Sequence, residues 1–532
     1  MNNQNETPFG SPRFLGALAI TFLGLWGWQY YVSKNYPQAN AVQKADIVTD
    51  KPAEKQSQPA AVDSGKSPTV STVATDSSQN DFSKETIEKY EDSNVSFEIS
   101  SIGMGIKNYT LKKYTDREGN NIVFSSDSLQ SETLVNRQRI NFSIKKMSDF
   151  EFIGTASFSD KNIKKVLKFN KDKGYFDVKV EFDSGLESIQ STLYQKHYIP
   201  KNTNFLMPSF EVQDFIFIEN GKTHAENISH LKPEDNFVKT AMAPTLTSVA
   251  TQYFTVAAVN KSEVIPQITN KVSQGMAFVD INYDLRNLKT NTLEQIVFLG
   301  PKESERLVSI DTTLPEVMNY GMFGAIAKVL LKIMVSLHDL LGNWGLAIIA
   351  LTLIVRTILL PFNVISFRSA QAMQKLKPKM DSIRERYKDD PIRMNKETMA
   401  VMKDNNANPL MGCLPMLLQI PIFFALWKTI GSSIEIYQQP FFGWITDLSH
   451  HDPFFVFPVL MGITMYLQQK LTPTTMDPTQ AKIMNFMPIL FTMFMLTLPS
   501  GLTLYNFISS LFGVIQQYFL LKENKSKSTQ LA

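Results

Sequence analysis

Five apolar stretches crowd the C-terminal part of this 532-residue chain and restrict its fold more than any other feature. They cover 344–365, 410–430, 454–471, 483–498 and 502–521, and none carries more than one charged residue. Hydrocarbon offers a peptide group no hydrogen-bond partner, so such stretches cross a bilayer as helices of about 20 residues. Only Pro499-Ser500-Gly501 joins the last two, which predicts a tight antiparallel hairpin. A sixth stretch, 14–32, carries no charge over nineteen residues, about 28 Å of helix. Trp26, Trp28, Tyr30 and Tyr31 crowd its far end, where an aromatic belt would lie. Ala39-Asn40-Ala41 offers a cleavage-type site, but the apolar region of a signal peptide runs only about 7–15 residues. The stretch therefore reads as a retained anchor. Six spans put both termini on one side.

Loop charge chooses that side. Between Phe367 and Pro409 stand ten basic and six acidic residues, whereas 431–453 holds no Lys or Arg, only Glu435, Asp447 and Asp452. Basic loops stay in the cytoplasm, so 1–13, 366–409, 472–482 and 522–532 are expected inside and 431–453 outside. The chain as a whole is nearly balanced, with 53 Lys and Arg against 50 Asp and Glu. That excludes a bulk basic field, and with it nucleic-acid specificity. A single cysteine excludes a disulfide framework and a cysteine-based metal site.

The N-terminal half reads as soluble. Residues 33–81 are Pro, Ala, Ser, Thr, Gln, Lys and Asp with few large apolar side chains, the composition of a tether. Within it, 60–67 fits a loose phosphate-loop pattern, but no strand precedes it and Pro68 follows at once, so no nucleotide site is expected. Residues 82–318 alternate with period two. Phe176, Val178, Val180 and Phe182 share one face while Asp177, Lys179 and Glu181 share the other. The segment 166–182 reads as a hairpin, and Glu219-Asn220-Gly221 reads as another turn. A large antiparallel β-sandwich follows, on the outer, periplasmic side. Its histidines, His197, His224 and His230, have no zinc-type spacing, and no cofactor or metal is expected. From 320 to 341, Phe323, Ile326, Leu330, Ile333, Leu337 and Leu340 form a stripe, the mark of a helix lying at the membrane interface.

The basic loop has structure of its own. Met373, Leu376, Met380, Ile383 and Tyr387 step by three and four, a seam that needs a partner helix. Lys388-Asp389-Asp390-Pro391 breaks it, and Ile392, Met399 and Met402 supply the partner stripe. A cytoplasmic helical hairpin results, with Arg384, Arg386, Asp389 and Asp390 around its tip.

Arg356 is the costly residue. It lies about 18 Å along its helix from Trp344 on one side and from Arg368 on the other, mid-membrane. An arginine there costs about 2.5–3.5 kcal/mol or more unless it meets water or a counter-charge, and no Asp or Glu lies in the five spans. A hydrated groove is expected, with Thr352 one turn away and Gln419, Asn485, Thr503, Asn506, Ser509, Gln516 and Gln517 as other polar candidates. From charge alone, Arg356→Lys would keep much of its effect. A solute transporter would need inverted repeats, and an intramembrane enzyme a catalytic constellation; neither pattern is present in the spans.

Asn343-Trp344-Gly345, the Arg356 span with Pro361, Asn408-Pro409-Leu410, Gly412-Cys413-Leu414-Pro415, Gln419-Ile420-Pro421-Ile422-Phe423, Asp477-Pro478, Phe486-Met487-Pro488 and Pro499-Ser500-Gly501-Leu502 follow in order. Together they resemble the YidC/Oxa family of membrane protein insertases, over about 320–521. The resemblance implies a non-enzymatic insertase and chaperone of the bacterial inner membrane, with six spans, five of them forming the core. It implies a groove around Arg356, open to cytoplasm and lipid and closed outside, with Gln419, Tyr505 and Asn506 near it. Cys413, Pro415, Pro488, Phe491 and Phe494 would line a greasy slide for the substrate. Where many relatives have paired tyrosines this chain has Tyr505-Asn506, a departure at position 506. Implied partners are nascent inner-membrane proteins, the lipid bilayer, the Sec translocon, and a ribosome and targeting receptor met through the cytoplasmic loops and tail.

Overall fold

Alternation becomes sheet in the first half of the chain. The computed structural model describes residues 85–530, apart from 117, 125–127, 197–211, 233–234, 243–244, 287, 289, 406–408 and 474–477. The anchor at 14–32, the tether and His197 lie outside the described residues. Strand Tyr175–Phe182 buries Phe176, Val178, Val180 and Phe182 and pairs antiparallel with Lys161–Asn170, as the hairpin reading expects. Asp214–Glu219 likewise turns back on Lys222–Asn227, with Asn220 and Gly221 both at positive φ, the conformation a two-residue hairpin needs.

Among the described residues three antiparallel sheets result, of four, nine and six strands. The four-stranded sheet packs its aromatic face on the long one. Phe97 lies within 6.2 Å of the rings of Tyr90, Tyr109, Phe152, Phe169 and Phe176. Each fully buried ring of this kind contributes about 1.5–3 kcal/mol. Ile189, Leu193, Val279 and Ile281 of the six-stranded sheet join the same core. Lys165 breaks the pattern: it is fully buried, and its ammonium donates to Ser131 O at 2.5 Å and Gly103 O at 3.3 Å. His224 stacks on Phe217 and His230 is exposed, the ordinary fates of histidines.

The rest is helical: α1 (Ser304–Ile310), α2 (Gly324–Leu341), α3 (Trp344–Arg386), α4 (Pro391–Asp404), α5 (Pro409–Ser432), α6 (Val456–Leu471), α7 (Pro478–Met495) and α8 (Ser500–Gln530). Gly342 at φ 66° ends α2, Asn343 caps α3 by accepting from Leu346 N, and His338 stacks on Trp344 across the corner. The buried face of α2 is Ala327, Leu330, Leu331 and Met334, rotated from the expected stripe, and Leu340 is 80% exposed. Packing against α3 and α5 selects that face.

α3 runs unbroken for 43 residues through Pro361 and Pro378, so the apolar stretch and the first arm of the basic hairpin are one helix. Asp390 caps α4 by accepting from Arg393 N, and Pro391 fills its first turn, as the breaker reading expects. The seam is Leu376 and Met380 against Ala372, Met373, Val401 and Met402. Ile392 and Met399, expected in it, are exposed, and Met394 is buried instead. Arg384 pairs with Asp381 and Arg393 lies over the Tyr387 ring, while Arg386 and Asp389 face solvent.

Among the described residues, Gly321–Leu341, Trp344–Arg386 and Ser500–Glu523 are long and apolar enough to cross a membrane; Leu417–Ser432 and Met484–Met495 are shorter apolar stretches. Pro499 reverses the chain as expected, but α8 packs chiefly along α6, which also packs on α7, and the hairpin partners are splayed by α6.

Candidate functional site

Arg356 projects from α3 toward α8, where its Nε–H donates to Ser509 Oγ at 2.6 Å. Half-buried, it has no carboxylate partner among the described residues. Beside it, Gln419 of α5 donates from Nε2 to the Tyr505 hydroxyl at 3.0 Å. Three helices, α3, α5 and α8, thus converge on one polar cluster set in apolar surroundings. Ser509 and Tyr505 stand one turn apart on α8, so one helical face serves both partners.

The other polar candidates divide. Thr352 is fully buried and bonds Ile348 O within its own helix, which seats it in the packed end of the bundle. Thr503 is buried and bonds Ser500 O. Asn506 donates to Leu502 O and approaches Met495 of α7, so the structure does not bring it to Arg356. Gln517 reaches Thr472, and Asn485 is exposed on α7.

Rings link α5 to α7. Phe423 meets Phe424 and Trp427, Trp427 meets Phe494 at 6.3 Å, and Phe494 meets Phe491 at 6.4 Å. Of the expected slide, Phe491 and Phe494 belong to this layer and Pro488 is buried within α7. Phe486, Ile489, Leu490 and Met493 form the exposed face of α7. The side chains of Cys413 and Pro415 lie outside the described residues. Phe423 and Trp427 escaped the sequence reading because an apolar helix gives no period by which to choose an inner face.

The segment after α5 covers the far end of the bundle. Leu448 O and His450 O accept from Gly501 N and Ser500 N at the α7–α8 turn. Fully buried Asp452 accepts from Trp444 Nε1 and from the backbone N–H of Phe454 and Phe457, capping α6. Phe441 fills the space above Gly345, where a Cβ would lie 2.0 Å from its ring. On the β side, Tyr437 packs 4.7 Å from Tyr253 and donates to Thr115 O at 2.7 Å, and Gln438 donates to the same carbonyl at 3.0 Å. Nothing in the charge pattern of 431–453 marks this docking. Among the described residues no group of His, Cys, Asp or Glu is placed to hold a metal.

Fold and site together define a class: a helical membrane protein whose bundle holds, among the described residues, an arginine with no carboxylate beside it, and a β-sandwich fastened to the covered end of that bundle. Comparison with known proteins narrows it. A family model described as 60Kd inner membrane protein matches residues 336–527, and one described as YidC periplasmic domain matches 89–333. The membrane protein insertase YidC of Campylobacter jejuni is 33% identical over 548 residues, 98% of either chain. That of Haemophilus ducreyi is 33% identical over 71% of this chain and 72% of its own, and that of Geobacter sulfurreducens 31% identical over 81% and 85%. The chain belongs to the YidC family of membrane protein insertases.

Proposed function

We propose that this chain inserts membrane proteins, drawing an acidic segment of a nascent substrate toward Arg356 and releasing the apolar segment to lipid along α5 and α7. The observation that carries this reading is a guanidinium held by one neutral hydroxyl, with no carboxylate beside it among the described residues. A cation so placed attracts a carboxylate by about 4 kcal/mol at ~4 Å and an effective dielectric of ~20. The insertion step forms and breaks no covalent bond.

The same proposal has six spans, from 14–32 to 502–521, in the bacterial inner membrane with both termini cytoplasmic. In it α2 lies at the outer interface, the β-sandwich is periplasmic, and the hairpin of α3 and α4 faces the cytoplasm. The Sec translocon, and a ribosome and targeting receptor at the cytoplasmic loops, are its proposed partners. In proteoliposomes, Arg356→Ala is expected to lower insertion of acidic-tailed substrates at least tenfold and to spare neutral-tailed ones. Removing an unpaired buried charge costs the fold little. Equal losses for both tails would sink the electrostatic reading.

A further inference from the structure

The guanidinium of Arg356 is held from one side. Its Nε–H goes to Ser509 Oγ at 2.6 Å, and among the described residues its terminal N–H groups meet no protein acceptor. Ser509 Oγ keeps its own O–H to donate, and the Tyr505 hydroxyl, which accepts from Gln419, stands one turn away on α8. The helix that carries Ser509 is thus the one that Gln419 joins to α5 through Tyr505. A guanidinium is planar, so fixing Nε limits how that plane can turn. The edge formed by the two terminal nitrogens is left for a ligand, and a carboxylate meets such an edge with two parallel hydrogen bonds.

We propose that Ser509 is a positioning residue for insertion. It sets the plane of Arg356 so that the terminal nitrogens present a bidentate site to an aspartate or glutamate carboxylate of the incoming chain. The proposal rests on recruitment of acidic segments by Arg356 and adds direction to charge. It also separates arginine from lysine. An ammonium keeps the charge but has neither a planar fork nor an Nε–H for Ser509 to hold. Ser509 should therefore matter only while residue 356 is arginine.

The test uses the full-length protein in proteoliposomes and a single-span reporter whose translocated tail carries two aspartates or, as its control, two asparagines. Ser509→Ala is expected to lower insertion of the aspartate tail roughly tenfold, the scale of a hydrogen bond to a charged group, and to leave the asparagine tail unchanged. Arg356→Lys should give a similar selective loss, the Ser509→Ala/Arg356→Lys double variant should insert no less than Arg356→Lys alone, and Ser509→Thr should restore the parent level. If Ser509→Ala leaves the aspartate tail unaffected, lowers both tails alike, or multiplies in full with Arg356→Lys, Ser509 is a packing residue. The positioning proposal then falls while Arg356→Ala stays selective for the aspartate tail. If Arg356→Ala itself lowers both tails alike, charge recruitment fails, and positioning with it.

Discussion

Asp452 is a fully buried carboxylate whose oxygens accept from the Trp444 indole, from Phe454 N–H ahead of α6 and from Phe457 N–H in its first turn. Replacing it with alanine removes the acceptor of the buried Phe457 N–H as well as that of the more exposed Trp444 indole, at a cost of about 1–2 kcal/mol. Asp452→Ala is expected to lower the thermal midpoint in detergent well below that of Asp452→Asn, which keeps an acceptor; equal midpoints would show that the cap carries no stability. Gly345 answers a different need, close approach. A Cβ there would meet Phe441 at 2.0 Å, so Gly345→Ala must displace that ring at about 1–3 kcal/mol. The expected result is a lower midpoint, largely restored by pairing the change with Phe441→Leu. Neither role was legible beforehand. Asp452 looked like one of three loop acids, and Gly345 like part of a family motif.

Elements carry properties that no single residue does. The hairpin of α3 and α4 is joined by Leu376 and Met380 and stands beyond the apolar part of α3. Deleting 373–402 is expected to cripple insertion while the chain still fractionates with membranes; unchanged insertion would reduce the hairpin to a topology signal. The segment that docks the β-sandwich contains Glu435. Burial, with Glu303 adding to it, pushes the Glu435 carboxyl up to about 7 from its ordinary 4.5, against a hydrogen bond from Ser304 N–H. A raised carboxyl binds its proton more tightly in the docked state than in the unfolded one. Stability is therefore highest below the ordinary value and is lost as pH rises from about 4.5 through about 7. Glu435→Gln should flatten that part of the melting profile between pH 5 and 8, and an unaltered profile would assign the slope to other groups.

At the scale of the whole molecule the prediction is topological. With Cys413 replaced by serine, a cysteine at exposed Asp389 should label only from the cytoplasm, and one at exposed Thr446 only from outside; reversed labelling would overturn the six-span proposal. The neighbouring Ile445 is buried and would report nothing. Much of the architecture was legible in sequence because its causes are local. Period-two alternation wrote strand Tyr175–Phe182 and its hairpin, Asn220-Gly221 wrote a turn, and Asp390-Pro391 wrote a helix start. Arg356 was legible too, because a charge in an apolar run is costly wherever the chain later folds. Tertiary structure alone decided that Ser509 receives Arg356 while Asn506, three residues earlier on the same helix, turns away. It alone decided that α6 packs along α8, that Met394 rather than Ile392 is buried, and that Tyr437 docks on the β-sandwich. The physical reason is one of range. Side-chain period and turn chemistry act over a few residues, but in a helix apolar on every side no local rule ranks one face above another, and only contact with distant segments breaks that tie.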